Sequence, residues 1–314
     1  MPDYDILCFA DTAVDLLMRG RDVVPQFGQV EKLVEGYELE LGGSCCLFAA
    51  QAAKLGLKVA ALGRVGADSF GQLVIAKLSG AGVDTRFITV DPALKTGLTV
   101  HLTPEGSNDR AMLTYLGSLC ALTPADVTDE ILASARHLHL GSYFLHTGLL
   151  PEWGSITRRA KALGVSVSLD TNWDPTEQWD GGLSEVLPLV DVLLPNEQEA
   201  QLIARRATLT DAVAVLRAHA GLLALKLGEA GAQVYPADGV LSFRPAPAEA
   251  GGDSTGAGDA FDAGFLAGWL NGLPLQTCLE IGCACGRGVA GRRGGYAGQV
   301  WRRDIPALMD ALTL

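Results

Sequence analysis

The most informative stretch of this 314-residue chain is Gly252–Gly272, which reads GDSTGAGDAFDAGFLAGWLNG. It begins as a glycine-rich turn and continues as an apolar run, which predicts a helix with Gly256, Ala257 and Gly258 in its first turn. Backbone amides at a helix start have no partner inside the helix and lie at the positive end of its dipole. Because small residues let a ligand approach this backbone closely, the stretch predicts a site for a phosphate or for a phosphoryl group in transfer.

Asp259 follows these small residues directly and places a carboxylate beside the predicted anion site. An acid next to an anion is electrostatically unfavourable unless it has a task, and the natural task is that of a general base. In this interpretation an acceptor hydroxyl loses its proton to Asp259 while its oxygen attacks a phosphorus atom held by the amides of residues 256–258. The alternative is an acidic first-turn residue that only complements the helix dipole. The surrounding glycines favour the catalytic interpretation.

Two other phosphate-binding motifs do not fit the sequence. A Walker loop requires GxxxxGK[ST], and the chain contains no Gly-Lys-Ser or Gly-Lys-Thr. A dinucleotide fingerprint requires GxGxxG after the first strand, whereas Gly256 and Gly258 lie late in the chain and Phe261 stands in place of the third glycine. The predicted anion site is therefore of neither type.

Composition narrows the class of protein. The chain is 48% hydrophobic and 19% charged, which is typical of a globular domain, and its formal net charge is −12. Nucleic acids and membrane surfaces are poor partners for such a chain, because a polyanion is bound by basic side chains. No apolar run reaches about 18 residues, and the opening residues MPDYDILCFADTAVD carry acids where a secretory signal is basic and then apolar. We therefore expect a cytoplasmic protein without nucleic-acid or membrane partners.

The cysteines and histidines match no metal-binding motif. The seven cysteines form no C-x-x-C, and the five histidines form no HExxH. Free thiols in a reducing compartment fit this pattern best. His137 and His139, in HLHLGSYFLH, are interpreted as polar positions on a strand rather than as ligands.

Apolar runs alternate with helical patterns along most of the chain. Strands are predicted at 4–10, 57–62, 136–140, 165–169, 190–194 and 222–227, and helices at 44–55, 68–80, 148–163, 197–206 and 210–219. This alternation predicts right-handed βαβ units and a mainly parallel sheet with helices on both faces, in a single domain over residues 1–314. The segments 17–41 and 92–116 break the pattern with short alternating runs that predict antiparallel ribbons. Such ribbons can serve as a lid over the ligand site, and the alternatives are an extension of the sheet or a dimer interface.

The run from Asp253 to Asp259, DSTGAGD, resembles the C-terminal signature D-[ST]-T-G-A-G-D of the ribokinase/PfkB family of carbohydrate kinases and matches it at every position. The resemblance covers nearly the whole chain. Asp11 and Asp15 follow the first strand, Gly42-Gly43 opens the first helix, and the segment 195–199 fits the N-x-x-E element of the family. The resemblance implies an α/β fold, a ribokinase-like three-layer sandwich with a mainly parallel central sheet and a small antiparallel β lid.

The resemblance also implies ATP-dependent phosphorylation of a hydroxyl group. By this carry-over Asp259 is the catalytic base, and the amides of Gly256, Ala257 and Gly258 form the anion hole. Asn196 and Glu199 would organise Mg²⁺, mainly through water, which suits a hard cation that takes one or two carboxylates together with phosphate oxygens. A capping box at a helix start is the alternative for this pair, and both interpretations can hold together. Lys226 and Gly228 would line the nucleotide pocket.

The acceptor site is carried over in the same way. Asp11 and Asp15 would accept hydrogen bonds from sugar hydroxyls, Gly42 and Gly43 would let the main chain touch the sugar, and Ser44 would cap the helix. Ordinary loop acids and a plain tight turn are the alternatives. The chain departs from the frequent family pattern GGKGAN, because Ser44 and Leu47 replace its Lys and Asn. Ribose or fructose specificity is therefore not implied.

Further residues have less specific assignments. Asp253 and Thr255 match positions that bind a monovalent cation in many family members, with the loop 292–295 completing the site, so potassium is a candidate cofactor. Alternatively, Asp253 braces the anion-hole loop. His101 and Arg110 in the predicted lid are candidates to reach the substrate, with a solvated ribbon face as the alternative.

We therefore expect an ATP- and Mg²⁺-dependent kinase acting on a small sugar or sugar acid. A phosphorylated acceptor is disfavoured, because anion recognition needs several basic groups in an otherwise acidic chain. A nucleoside kinase of the same fold is an alternative, for which Phe27, Tyr37 and Tyr115 would offer an aromatic platform. A non-catalytic sugar or nucleotide sensor is another. The β lid is also a candidate homodimer interface.

Overall fold

Thirteen strands form two sheets in the computed structural model, which describes residues 2–104, 111–249, 252 and 254–306. In chain order the strands are β1 Tyr4–Ala10, β2 Ala13–Gly20, β3 Gly36–Gly42, β4 Val59–Gly66, β5 Ile88–Asp91, β6 Gly97–Pro104, β7 Ala111–Tyr115, β8 Ala135–Leu140, β9 Ser166–Leu169, β10 Val192–Leu193, β11 Leu222–Lys226, β12 Ala232–Tyr235 and β13 Leu241–Phe243.

The described residues also form nine α-helices. They are α1 Ser44–Lys54, α2 Ser69–Ala81, α3 Asp129–Ala133, α4 Trp153–Ala162, α5 Leu183–Val186, α6 Glu197–Ala204, α7 Leu209–Arg217, α8 Ala257–Leu270 and α9 Leu275–Ala290. Short 3₁₀ turns lie at Gly117–Cys120, Pro124–Asp126, Leu150–Glu152, Leu187–Leu189, Gly228–Ala230 and Arg302–Asp304.

The large sheet has the order β13-β12-β11-β10-β9-β8-β1-β4-β5. All pairings from β11 to β5 are parallel, and β12 and β13 extend one edge in antiparallel fashion. Side chains that alternate along β1 enter two separate cores. Ile6 and Cys8 pack with α1, α2, α8 and α9, whereas Leu7 and Phe9 pack with α3 to α7. Helices therefore cover both faces, which confirms the predicted three-layer α/β class.

Four strands form a separate sheet, the small sheet, in the order β3-β2-β6-β7. Its outer pairings are antiparallel and its central pairing, between β2 and β6, is parallel. Residues opposite one another on neighbouring strands share a face. Asp15 lies opposite Glu40, and Leu16 lies opposite Leu39. The small sheet therefore has a polar face, which carries Asp15, Glu40 and His101, and an apolar face, which carries Leu16, Leu39 and Tyr37.

The two histidines of β8 are part of the packing of the sheet. His137 and His139 lie opposite Ser166 and Ser168 of β9. The Oγ atom of Ser168 lies 2.8 Å from His137 Nε2 and 2.8 Å from His139 Nδ1, so the buried polar atoms satisfy one another. Burial lowers the pKa of both imidazoles, with that of His139 reaching about 3.

Candidate active site

The carboxyl ends of the parallel strands bring the sequence-predicted residues together at one edge of the large sheet. Asp11 follows β1, Asn196 follows β10, and Lys226 ends β11. Asn196 and Lys226 are joined by a parallel bridge. The helices α1, α6 and α8 begin near these strand ends, as expected for an open α/β sheet, in which ligands bind at this edge.

The start of α8 carries the predicted anion site. Gly256 is its N-cap residue with a φ of 71°, a left-handed conformation that favours glycine. The amide of Ala257 donates to Ser254 O at 3.2 Å, so it is not the free donor that the sequence predicts. Within the part of the chain that the structure describes, the amides of Gly256 and Gly258 have no hydrogen-bond acceptor. The glycine amides, rather than that of Ala257, are therefore available to an anion.

The two glycines have different steric surroundings. A Cβ at Gly256 would lie 2.7 Å from Gly295 Cα, so this residue lets the 292–295 loop pack against the start of α8. A Cβ at Gly258 would lie 3.5 Å from Lys226 Nζ, which is an ordinary contact. Gly256 is therefore required by packing, whereas a methyl group at Gly258 would fit against the side chain of Lys226.

Asp259 is buried, with 8% of its surface exposed. The hydroxyl of Ser44 donates a hydrogen bond to its Oδ1. Burial and the charge of Asp170 raise the pKa of Asp259 to about 7, against the lowering effects of Ser44 and Lys226. This carboxyl group can therefore both accept and release a proton near neutral pH, as a general base must.

Asn172 and Ser142 join this site, although the sequence patterns do not single them out. The Oγ atom of Ser44 lies 3.2 Å from Asn172 Oδ1, which also accepts the amide of Ser142 at 2.7 Å. Both residues have positive φ, 53° for Asn172 and 47° for Ser142. Such conformations cost roughly 1–3 kcal/mol for side chains other than glycine and concentrate at functional sites. The only sequence signal is their position, since each follows a predicted strand.

Asp11 holds the start of α1. Its carboxylate accepts the amide of Ser44 at 2.8 Å, the amide of Cys46 at 3.3 Å and the hydroxyl of Ser142. Gly43, the N-cap residue of α1, has no side chain for this role, and a Cβ there would lie 2.1 Å from Asp11 O. Burial raises the pKa of Asp11 to about 6, although these three bonds lower it. Asp11 thus has a capping function in the structure, and its binding to a sugar stays a prediction.

Asp15 lies farther along the same edge, on the polar face of the small sheet. It is buried, and its Oδ1 lies 3.3 Å from His101 Nε2. A Cβ at Gly42 would lie 2.4 Å from Asp15 Oδ1, so the glycine makes room for this carboxylate. The other lid candidate, Arg110, lies outside the described residues.

Lys226 is partly buried and lies between two carboxyl groups. Its Nζ lies 2.6 Å from Asp170 Oδ2 and 3.1 Å from Asp262 Oδ2. Burial and the charge of Asp170 raise the pKa of Asp262. Burial also raises that of Asp170, but Lys226 and a hydrogen bond from Asp262 outweigh it, so the pKa of Asp170 is lowered. Of the two carboxyl groups, Asp170 is therefore the one that more readily carries the negative charge opposite Lys226. Sequence reasoning missed Asp262, which lies one helical turn after Asp259.

Asn196 and Glu199 form the capping box of α6. Asn196 Oδ1 accepts the amide of Glu199 at 2.9 Å, and Glu199 Oε2 accepts the amide of Asn196 at 2.8 Å. Burial and the charge of Asp170 raise the pKa of Glu199 to about 7. In the described ranges, no three His, Cys, Asp or Glu side chains are grouped closely enough to hold a metal ion by themselves. Glu199 Oε1 makes no hydrogen bond to a described residue, so this carboxylate suits a cation that keeps most of its waters.

A cavity of about 730 Å³ opens beside the start of α8. Lys226, Gly228, Ala257 and Gly258 line it, together with Phe261. The structure therefore places the two predicted nucleotide-pocket residues and the predicted anion site on one cavity.

The candidate potassium site is described only in part. Thr255 is buried beside the N-cap of α8, and Asp253 lies outside the described residues. The loop 292–295 contacts this turn through Gly295 and Gly256. A role in binding a cation stays a prediction for both residues.

The helices of the described residues do not include one that is long and apolar enough to cross a membrane.

Comparison with known proteins gives a consistent result over nearly the whole chain. The family model "pfkB family carbohydrate kinase" matches residues 4–302. An ATP-dependent ribose-1-phosphate kinase of Halopiger xanaduensis is 32% identical over 255 residues, which are 81% of this chain and 81% of the relative. A 2-dehydro-3-deoxygluconokinase of Thermoproteus tenax is 29% identical over 299 residues, which are 90% of this chain and 89% of the relative.

Solved structures agree with this result. A candidate ribokinase II from E. coli, solved in complex with ATP and Mg²⁺, has a TM-score of 0.85 and 25% identity. The match covers 98% of this chain and 99% of that protein. From the matched family model and the shared fold, we conclude that the chain belongs to the pfkB family of carbohydrate kinases.

Proposed function

We propose that this chain transfers the γ-phosphoryl group of ATP to a hydroxyl of a small sugar or sugar acid. The observation that carries the proposal is the buried carboxyl group of Asp259, whose pKa is raised to about 7, beside the amides of Gly256 and Gly258, which have no hydrogen-bond acceptor among the described residues. A cavity of about 730 Å³ is lined by Gly258 and has room for a nucleotide.

In the proposed reaction, Asp259 accepts the proton of the acceptor hydroxyl. The hydroxyl oxygen forms a bond to the γ-phosphorus while the bond from that phosphorus to the bridging oxygen breaks, and ADP leaves with the electron pair. The amides of Gly256 and Gly258 donate to the phosphoryl oxygens, where negative charge is concentrated during transfer. Ser44 holds the Asp259 carboxylate through its hydroxyl, and so orients the base.

The oxygen atoms of Asn196 and Glu199 suit a Mg²⁺ ion that binds together with ATP. Glu199 and Asn196 would hold it through water, and the cation would neutralise charge on the phosphate oxygens. The E. coli chain that was solved with ATP and Mg²⁺ supports Mg²⁺ as the cation that accompanies ATP. A potassium ion near Asp253 and Thr255 belongs to the proposal as a further cofactor.

The acceptor is proposed to be a sugar or sugar acid because similar proteins are named as a ribose-1-phosphate kinase, a 2-dehydro-3-deoxygluconokinase and a fructokinase. A cytidine kinase of Thermococcus kodakarensis is 29% identical over 269 residues, so a nucleoside acceptor is the alternative. The small sheet does not favour it. Tyr37 and Tyr115 share a face with Leu16 and Leu98, which is the face opposite to Asp15. A sensor without turnover is disfavoured, because binding alone does not need the base Asp259.

The small sheet is proposed to act as the lid of a single kinase unit and as a homodimer interface. Its polar face carries the predicted acceptor residue Asp15, and its apolar face leaves Tyr37 70%, Leu113 64% and Tyr115 55% exposed. Large apolar side chains exposed on one face of a sheet are typical of protein interfaces. A cytoplasmic location belongs to the proposal as well and rests on the sequence alone.

Replacing Asp259 tests the base. Asp259→Asn should reduce turnover by roughly 10²–10⁴-fold, the usual share of a positioned base, without weakening ATP binding. In the wild-type protein kcat/KM should fall about tenfold per pH unit below pH 7, because a base with a pKa of about 7 is protonated there. Steady-state kinetics between pH 5 and 9 measure both effects.

Glu199→Gln is the matched control for this pH profile, since the pKa of Glu199 is also raised to about 7. The acid limb should persist in Glu199→Gln and disappear from the residual activity of Asp259→Asn. Loss of the limb in Glu199→Gln, or full turnover in Asp259→Asn, would refute the assignment.

Gly258→Ala tests the amides at the start of α8. The added methyl group has room in the fold, but it occupies the approach to the amides, so we expect turnover to fall by roughly 10–10³-fold. Gly80→Ala on α2 is the control, because nothing lies within 4 Å of its Cβ position. Unchanged turnover in Gly258→Ala, with the unfolding temperature of both variants near wild type, would count against the anion hole.

Sedimentation velocity tests the dimer. The wild-type protein should sediment as a dimer, and Leu113→Glu or Tyr37→Glu should shift it to a monomer, because a buried unpaired carboxylate is costly. Val240→Glu introduces the same charge at a position that is 51% exposed, between β12 and β13, and should remain dimeric. A monomeric wild-type protein would exclude this interface.

A further inference from the structure

Lys54 is a buried cation that the proposed reaction does not use. It lies in the last turn of α1, and 6% of its surface is exposed. Its Nζ lies 3.7 Å from the centroid of the Tyr296 ring and 5.8 Å from that of the Trp301 ring. The ammonium group makes no hydrogen bond or ion pair to any described residue. Such a buried charge calls for an explanation, because aromatic faces replace only part of the hydration that it has lost.

Two further charged groups near Lys54 are also without partners in the part of the chain that the structure describes. Lys77 of α2 has its Nζ 4.8 Å from the centroid of the same Tyr296 ring, and it forms no ion pair there. Glu40 of β3 has a buried Oε2 atom that accepts no hydrogen bond. A buried polar atom without a partner is rare in folded proteins, and an unseen ligand is one explanation for it.

The chain that follows Gly294 brings the carboxyl group and the two ammonium groups to one place. A Cβ at Gly294 would lie 3.4 Å from Glu40 Cγ. Two residues later, the ring of Tyr296 contacts both lysines, and its hydroxyl donates to Lys77 O at 3.3 Å. Burial raises the pKa of Glu40, and the charges of Lys77 and Lys54 oppose this rise. The three charged groups therefore lie within electrostatic reach of one another, where β3 meets α1 and α2.

The unused groups define the chemistry of a ligand. The two ammonium groups need acceptors that carry negative charge, whereas Glu40 Oε2 needs a donor. Glu38 and Asp15 act on Glu40 as further negative charges, so the acids lie on the side of the small sheet and the cations on the side of the helices. A phosphate group with a hydroxyl, as in hydrogen phosphate, meets both demands. A phosphate monoester with a neighbouring sugar hydroxyl meets them as well.

We propose that Lys54, Lys77 and Glu40 form a second anion site, apart from the one at the start of α8, which binds inorganic phosphate or the phosphate group of a sugar phosphate. Lys54 and Lys77 donate to the phosphate oxygens, and a hydroxyl of the ligand donates to Glu40 Oε2. The bound group joins β3 of the small sheet to α1, the helix whose Ser44 holds Asp259. Binding at this site does not require the proposed kinase activity.

Isothermal titration calorimetry with inorganic phosphate, sulfate and ribose 5-phosphate tests this site. Saturating ADP and Mg²⁺ are present throughout, so that phosphate does not occupy the amides at the start of α8. Lys54→Met and Lys77→Met should each weaken phosphate binding by about 10–100-fold, the usual effect of losing a hydrogen bond to a charged group. Lys58→Met removes the same charge from an exposed position before β4 and should bind phosphate as the wild-type protein does.

Sulfate tests the contact with Glu40. It matches hydrogen phosphate in shape and charge but carries no hydrogen at neutral pH, so the wild-type protein should bind phosphate more tightly than sulfate. Glu40→Gln places an amide donor where the carboxylate accepts, and this preference should disappear or reverse.

The unfolding temperature without ligand separates binding from a structural role. Lys54→Met replaces a buried charge that lacks a hydrogen-bonding partner among the described residues by an apolar side chain of similar length. Its unfolding temperature should therefore equal or exceed that of the wild-type protein, although its affinity for phosphate falls.

The outcomes separate this site from the proposed function. Unchanged phosphate affinity in Lys54→Met and Lys77→Met, a wild-type protein that binds neither phosphate probe, or equal affinity for phosphate and sulfate in the wild-type protein would overturn the site. Binding of only inorganic phosphate, or of only ribose 5-phosphate, supports the site and identifies the source of the phosphate group. If Lys54→Met does not fold, the half-buried Lys77 gives the same comparison. Phosphate binding as expected, without phosphorylation of any acceptor, would contradict only the kinase proposal.

Discussion

Holding a carboxyl group out of water at the start of a helix is the constraint on which the candidate site depends. The burial of Asp259 raises its pKa to about 7, whereas in water the group would be ionised and a weak base at neutral pH. The burial is achieved by neighbours from distant parts of the chain, above all Ser44 on α1. Because α1 is in turn held by Asp11 at the end of β1, the position of the Asp259 carboxyl group depends on the contact between β1, α1 and α8.

The partly buried ammonium group of Lys226 balances the acidic side chains at this edge of the large sheet. Lys226 faces Asp170 and Asp262, and its own pKa is raised because these charges, together with Glu199, outweigh its burial. The balance keeps Asp170 ionised and leaves Asp262, Glu199 and Asp259 with raised pKa values. The acidic side chains around Lys226 therefore carry less negative charge than their number suggests, at the edge where the phosphates of a nucleotide would add more.

Much of this fold could be predicted from the sequence, because its signals are local. The apolar run of β1, Tyr4–Ala10, predicts a strand from a few residues, and the glycine-rich start of α8 predicts the beginning of a helix in the same way. Helix α9, Leu275–Ala290, could not be predicted in this way, because its glycines lower the helix propensity of the segment. Those glycines follow from tertiary packing: a Cβ at Gly282 would lie 2.9 Å from the ring of Phe261 on α8. The parallel pairing of β2 with β6 likewise joins segments that are remote in sequence.

In the candidate site, too, some residues could be predicted from local motifs, whereas other contacts depend on the tertiary structure. The positions of Asp259 and Gly258 follow from one motif, and the capping box of Asn196 and Glu199 follows from another. The bond between Ala257 and Ser254, the Asp262–Lys226 pair and the Asn172 contact depend on how loops and strand ends meet, which no spacing within the sequence reveals.

The most direct test of the central claim is to titrate the carboxyl group of Asp259 itself. Protein labelled with ¹³C at the aspartate side-chain carboxyl carbon would be compared with Asp259→Asn, so that the missing resonance identifies the group. If the carboxyl group is buried in solution as it is in the structure, this resonance should titrate near pH 7. Titration near pH 4, the ordinary value for an exposed aspartate, would show that the carboxyl group is solvated and would contradict its role as the base.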